Sequence, residues 1–262
     1  MSDGIVEGLL IGPSQRRLFT VFRPASGRPR AALLICPPFF HEQFLSYRLL
    51  TLMGMRLAER GIASLRFDYL GTGDSAGDEA AFSLAGAIAD GNVALDALRQ
   101  RLPDVPLIVF GARAGAWPAA SVAASHHLPL WLWQPLPDGA DWIHALEDMD
   151  ARERASRARY PFLGPVPKPV DPDRLLASYC PASLRAEIAQ AKLADILARG
   201  DIAIDVVDDD ESTVLPFARR TLRFPHSAGR WHAHIDIRAA FVTREMAACV
   251  EALAQDIESA AP

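Results

Sequence analysis

A chain of 262 residues, half of them hydrophobic, is long enough to bury one large core, and α/β domains of this length are commonly single units. A net charge of −5 and an isoelectric point near 5.8 exclude the broadly basic face that nucleic-acid binding demands, while leaving room for a local basic pocket. Cys36, Cys180 and Cys249 make an odd set with no CxxC pair, so they read as reduced thiols of a cytoplasmic protein, not as a disulfide framework.

The opening residues, Met1 to Gly8, lack the basic start and apolar run of a secretory signal. Ile5–Ile11 and Arg17–Phe22 flank Gly12-Pro13-Ser14 and predict a β-hairpin. Ala31–Cys36 is a continuous apolar run stopped by Pro37-Pro38, the pattern of a parallel strand buried on both faces. Phe44–Arg60 has helical spacing, with Leu49, Leu52, Met53 and Leu57 on one side and Gly61 as the stop. Ile62–Phe67 is the next strand, and Ser83–Leu102 an amphipathic helix capped by Ser83. Leu107–Phe110 predicts a strand, Ala116–Ser125 a small-residue helix and Leu130–Gln134 another strand, with Trp131, Trp133 and Phe110 packing the sheet. Ala114–Pro137 carries no Asp, Glu, Lys or Arg, yet its four prolines and two histidines argue against a membrane span. Strand and helix therefore alternate as in βαβ units. From Pro135 to about Gly200 the alternation breaks into a charged, proline-rich stretch without a clear strand, which reads as a helical cap over the sheet's carboxyl edge. Ile202–Val207 resumes the pattern and a helix from about Ile237 to Ile257 ends it. The expected domains are a core of 1–134 with 201–262 and a cap of 135–200.

Four motifs carry a resemblance. Arg66-Phe67-Asp68-Tyr69-Leu70-Gly71-Thr72-Gly73-Asp74-Ser75 is similar to the strand-then-turn of α/β-hydrolases of the serine-aminopeptidase-like group. Cys36-Pro37-Pro38-Phe39-Phe40-His41-Glu42 looks like that group's oxyanion-side loop, and Gly111-Ala112-Arg113-Ala114-Gly115 stands where the G-x-S-x-G elbow belongs, between a strand and a helix. With Leu132-Trp133-Gln134-Pro135, the chain resembles a bacterial subset, the exosortase-system-associated hydrolases, that carries G-x-R-x-G. The resemblance runs from about Ala31 to Gly139. It implies an α/β-hydrolase fold, a mostly parallel sheet with helices on both faces and a helical cap. It also implies an elbow holding Arg113 where an active hydrolase holds Ser, Cys or Asp.

Arg113 does not attack: a guanidinium pKa above ~12 makes its neutral form at pH 7 cost at least ~7 kcal/mol, most of an ordinary enzymatic acceleration. Two roles stay open. Its five donors suit a ligand carboxylate or phosphate beside a helix N-terminus, or they serve an internal salt bridge, with Glu42 as candidate partner. The resemblance places a triad acid in Asp208-Asp209-Asp210-Glu211, Asp209 foremost, and a histidine among His226, His232 and His234, with His234 or His232 best placed. Such a pair acts as general base toward water or a bound hydroxyl. Phe40 and Ala114 are the candidate backbone donors of an oxyanion hole, and His41 and Glu42 candidate pocket residues. Cys36, ending a buried strand, reads as core.

Other signals carry less. Gly71-x-Gly73-x-x-x-Gly77 misses dinucleotide spacing by one residue, and His41-Glu42-Gln43-Phe44-Leu45 lacks the second histidine of a zinc motif, so neither cofactor nor metal is expected. Arg152, Arg154, Arg157 and Arg159 read as a solvated helix face or as a basic lip that recruits an anionic acyl carrier. Two functions remain in play. One is an atypical hydrolase or acyl-transfer protein acting on an ester, thioester or amide, with an anionic small-molecule or carrier-bound substrate. The other is a catalytically inactive pseudo-hydrolase that binds an anionic ligand or a biosynthetic partner. A homodimer is compatible with either.

Overall fold

The structure, a computed structural model, describes residues 5–155, 171–209, 215–225 and 241–261. An antiparallel hairpin, β1 (Glu7–Ile11) and β2 (Leu18–Arg23), opens the chain. Then come β3 (Ala31–Cys36), α1 (Phe40–Glu59), β4 (Ile62–Phe67), α2 (Leu84–Arg101), β5 (Leu107–Ala112), α3 (Ala116–His126) and β6 (Leu130–Trp133). An excursion follows, made of α4 (Gly139–Ala155), the two-residue strands β7 (Arg174–Leu175) and β8 (Ser178–Tyr179), α5 (Ala182–Ala189) and α6 (Leu193–Leu197). The chain rejoins the sheet with β9 (Ile204–Asp208) and β10 (Arg220–Arg223) and ends in α7 (Arg244–Ala260).

The eight-stranded sheet has the order β1-β2-β4-β3-β5-β6-β9-β10. β2 pairs antiparallel with β4, and every pair from β4 to β10 is parallel. β3 lies at the centre, and its alternation divides the core. Leu33 and Ile35 meet α1 and α7 through Leu49, Met53, Val250 and Leu253. Leu34 and Cys36 meet the opposite layer of α2 and α3, through Leu95, Leu98, Trp117 and Ala120. Each such leucine contributes about 1.5–3 kcal/mol on burial, which is why the run is apolar throughout.

Local chemistry sets the helix ends. Ser83 Oγ accepts the Gly86 N–H at 3.0 Å, as expected of the cap. The Glu187 carboxylate, reaching from α5, accepts the Leu84 and Ala85 amides at 3.2 and 2.9 Å, placing negative charge on the positive end of α2. The excursion closes on itself at its base, where Gly139 N–H donates to Ala191 O at 2.9 Å and Leu193 N–H to Pro137 O at 3.0 Å.

Several elements differ from the sequence reading. α1 begins at Phe40, four residues before the expected start, so Phe40, His41 and Glu42 belong to its first turn and not to a loop. The 135–200 stretch contains the β7–β8 hairpin, too short to leave a periodic signature. β10, a polar edge strand of Arg220-Thr221-Leu222-Arg223, had no apolar run to announce it. α7 starts at Arg244 behind Thr243, whose Oγ1 accepts the Met246 amide at 3.1 Å, while residues 237–240 lie outside those described. No described helix is long and apolar enough to cross a membrane.

Candidate active site

The site grows from the carboxyl ends of β3 and β5. β5 runs through Ala112, a single 3-10 turn covers Arg113–Gly115, and α3 starts at Ala116. Arg113 has φ of 51°, in the left-handed region that a non-glycine residue enters only under constraint. The flanking glycines impose the constraint by proximity. A Cβ on Gly115 would stand 2.3 Å from the Pro37 carbonyl oxygen and 2.4 Å from that of Cys36. One on Gly111 would stand 2.6 Å from the Ala119 Cβ. The corner is thus pressed against the end of β3, with fully buried Ala114 inside it.

Beyond β3, Pro37-Pro38 ends strand pairing, Phe39 is extended, and Phe40 (φ 55°) turns the chain into α1. This turn sends the side chain of Glu42 inward. Glu42 is only 3% exposed at its side chain and Arg113 15%, and the two form an ion pair. Arg113 Nε lies 3.4 Å from both carboxylate oxygens and Nη2 3.3 Å from Oε1. These are longer than the ~2.7–2.9 Å of a tight charge-assisted bond, so the contact is mainly coulombic. Nη1 donates to the Gln134 backbone carbonyl at 3.4 Å.

Gln134, one residue past β6 and itself at φ 44°, links the corner to the acid loop. Its amide N–H donates to Val207 O at 2.7 Å, and its side-chain Nε2 donates to Asp209 Oδ1. Asp209, the expected acid, therefore stands one residue away from the arginine's environment. His226, His232 and His234 lie outside the described residues. Gln134 itself escaped the sequence reading as a site residue; its place directly after β6, next in the sheet to β5, was the available signal.

Aromatic side chains cover this floor. Trp142 of α4 stacks on Phe40 with ring centroids 5.6 Å apart and 9° between planes, and meets Trp117 edge-on at 5.6 Å. Phe39 contacts Tyr69 and Phe82 at 5.2 and 5.0 Å. Trp117 Nε1 donates to Leu136 O and Tyr69 Oη to Pro37 O, at 3.0 and 2.9 Å, so the cluster is anchored by hydrogen bonds. Burial, with the neighbouring Cys36 and Asp90, holds the Tyr69 phenol well above its ordinary value, and burial alone pushes the Cys36 thiol up. Neither group is poised to ionise, and Cys36 is core.

His41, next to Phe40, lines a cavity of about 300 Å³ beside the β7–β8 hairpin. The Asp68–Ser75 turn is a closed structural unit: Asp68 accepts from Tyr47 Oη at 2.6 Å and the Asp74 amide at 3.1 Å, and Ser75 Oγ donates to Asp68 O at 2.6 Å. Arg154 pairs with Asp150 one helical turn back at 2.5 Å, the behaviour of a solvated helix face; Arg157 and Arg159 lie outside the described residues. Among the described residues no cluster of three His, Cys, Asp or Glu could hold a metal ion.

A left-handed residue between the fifth strand and its following helix, on a mostly parallel sheet with helices on both faces, defines the α/β-hydrolase fold. The solved structures it resembles agree. Est1E from Butyrivibrio proteoclasticus, bound to ferulic acid, matches with a TM-score of 0.61 at 15% identity, over 95% of this chain and 98% of that one. A thermostable carboxyl esterase from Bacillus coagulans, in complex with glycerol, gives 0.59 at 15% identity over 97% and 99%. An α/β serine hydrolase without lid from Xanthomonas campestris gives 0.57 at 15% identity over 98% and 95%. At such identities the likeness is one of fold. No protein-family profile and no curated protein sequence matches the chain.

Proposed function

We propose that this protein is a binding member of the α/β-hydrolase fold, a pseudo-hydrolase in which Arg113 occupies the nucleophile's place and no covalent intermediate forms. The single observation that carries the reading is the buried Glu42–Arg113 ion pair. The chain supplies its own counter-charge to the elbow arginine, and removing Glu42 would leave a largely buried guanidinium without a carboxylate among the described residues. A free anion clamp is therefore the weaker use of Arg113, since a ligand carboxylate or phosphate has to displace Glu42. In this reading residues 135–200 are a cap whose Trp142 covers the elbow, and 1–134 with 201–262 are the core. The exosortase-associated subset of the serine-aminopeptidase-like group, with its G-x-R-x-G, is the proposed relationship, and the cytoplasm the proposed compartment.

A second reading has its own support. Gln134 ties Asp209 to the carbonyl that Arg113 contacts, which keeps an acid beside the elbow. If His234 joins it, the pair serves as general base for an atypical hydrolase or acyl-transfer reaction on an ester, thioester or amide, with Phe40 and Ala114 amides as oxyanion donors. Hydrolysis of p-nitrophenyl butyrate and a short acyl thioester by the wild type and His234→Ala separates the two. The binding reading expects both proteins at the uncatalysed rate. Wild-type turnover that His234→Ala abolishes establishes the second reading instead.

A further inference from the structure

Two adjoining cavities, about 300 and 190 Å³, lie between the first turn of α1, the Gly71–Gly73 turn and the β7–β8 hairpin, and share Phe40, Glu79 and Ser178 as walls. Arg113 lines neither. Phe40 is the divider, because the same ring that walls both cavities stacks on Trp142 over the elbow. From these cavities we infer that the protein's ligand site is displaced from the elbow to this cleft, and that it takes a small, uncharged molecule with an apolar ring and a hydrogen-bonding substituent. This deepens the binding reading and rests on it.

The lining selects that chemistry. Phe40, Phe44, Leu45 and Leu176 give the larger cavity apolar walls. The Ser178 and Tyr179 hydroxyls and the side-chain carbonyl of Gln43 have no protein hydrogen bond among the described residues. Gln43 is fixed from its other end, its Nε2 donating to Asp68 Oδ1 and Thr72 Oγ1, both at 3.3 Å, so its oxygen is preoriented. The one carboxylate in the lining, Glu79, is paired with Arg174 at 2.8 Å, and Arg174 also donates to Ala177 O at 2.6 Å. Arg174, the cation beside the cleft, is thus committed, and His41, the remaining titratable base in the lining, has its own partner, so among the described residues no uncommitted cation faces the cleft. Backbone strain converges on the same place: Phe40, Leu176 and Ala177 have φ of 55°, 52° and 70°, and such conformations persist where surrounding structure enforces them. Clefts near 300 Å³ are at the small end of ligand sites, which sets the size of the guest.

The test is a fluorescence titration of the full chain with 2-naphthol and with 2-naphthoate, one ring with a neutral and an anionic substituent. Saturable one-to-one binding of 2-naphthol is expected, with 2-naphthoate at least about ten-fold weaker. Ser178→Trp, which fills the wall common to both cavities, should weaken 2-naphthol by about ten-fold or more. Should that variant misfold, Ser178→Ala combined with Tyr179→Phe should weaken 2-naphthol about two- to ten-fold while leaving naphthalene unchanged. No saturable binding, equal or tighter binding of 2-naphthoate, full affinity in a folded Ser178→Trp, or an equal loss for naphthol and naphthalene in the double variant overturns the inference. The titration reads binding alone, so ester turnover by the wild type would defeat the pseudo-hydrolase reading without imitating any of these results.

Discussion

At Gly115 the strand–helix corner depends on the absence of a Cβ. A methyl there meets the carbonyl oxygens of Cys36 and Pro37, which are backbone atoms and cannot rotate away. Gly115→Ala is therefore expected to lower the urea-unfolding free energy by about 1–3 kcal/mol, the range of overpacking, although alanine has the better helix propensity at this helix start. A neutral or stabilising effect in equilibrium unfolding would show that the strand–helix corner is looser than described. Arg113, two residues away, pairs a left-handed backbone with a guanidinium that the chain neutralises through Glu42. The pairing was legible in the sequence only as one of two alternatives. Nothing in Gly-Ala-Arg-Ala-Gly says which acid lies opposite, because that depends on where α1 begins.

Elements make the same point on a larger scale. β3 and β4 occur over the very residues expected, since short apolar runs bounded by Pro37-Pro38 and Gly61 leave little freedom of assignment. The start of α1 was misplaced because Phe39-Phe40-His41-Glu42 follows Pro37-Pro38 and resembles an oxyanion-side loop, while its helical entry rests on a left-handed Phe40 that no periodicity records. That four-residue difference determines the site, for it turns Glu42 from a loop residue into an inward-facing one. In the excursion, α4 contributes Trp142, whose ring packs on Phe40 and Trp117. Trp142→Ala is expected to cost about 3–5 kcal/mol in urea unfolding, as large-to-small changes of a buried tryptophan do. A loss below about 1 kcal/mol would mean that α4 does not cover the elbow.

Over the whole molecule, the alternation of strands and helices was enough to anticipate an α/β fold with a parallel sheet, and the motif resemblance implied the α/β-hydrolase fold, which the sheet order and structural neighbours bear out. The chemistry was less accessible. Fold similarity at 15% identity transfers architecture, whereas the strand–helix corner after β5 in this chain holds an arginine that Glu42 of α1 pairs with. The account therefore turns on whether Glu42 and Arg113 are energetically one unit, which cooperative unfolding of the entire domain reports. The direct measurement is a double-mutant cycle of Glu42→Leu, Arg113→Met and the double variant in urea. The account predicts that each single change costs about 3–5 kcal/mol through loss of the buried ion pair, and that the double costs far less than their sum. Single effects that add within about 0.5 kcal/mol would contradict it, because Arg113 would then be held by something other than Glu42 and remain available to a ligand.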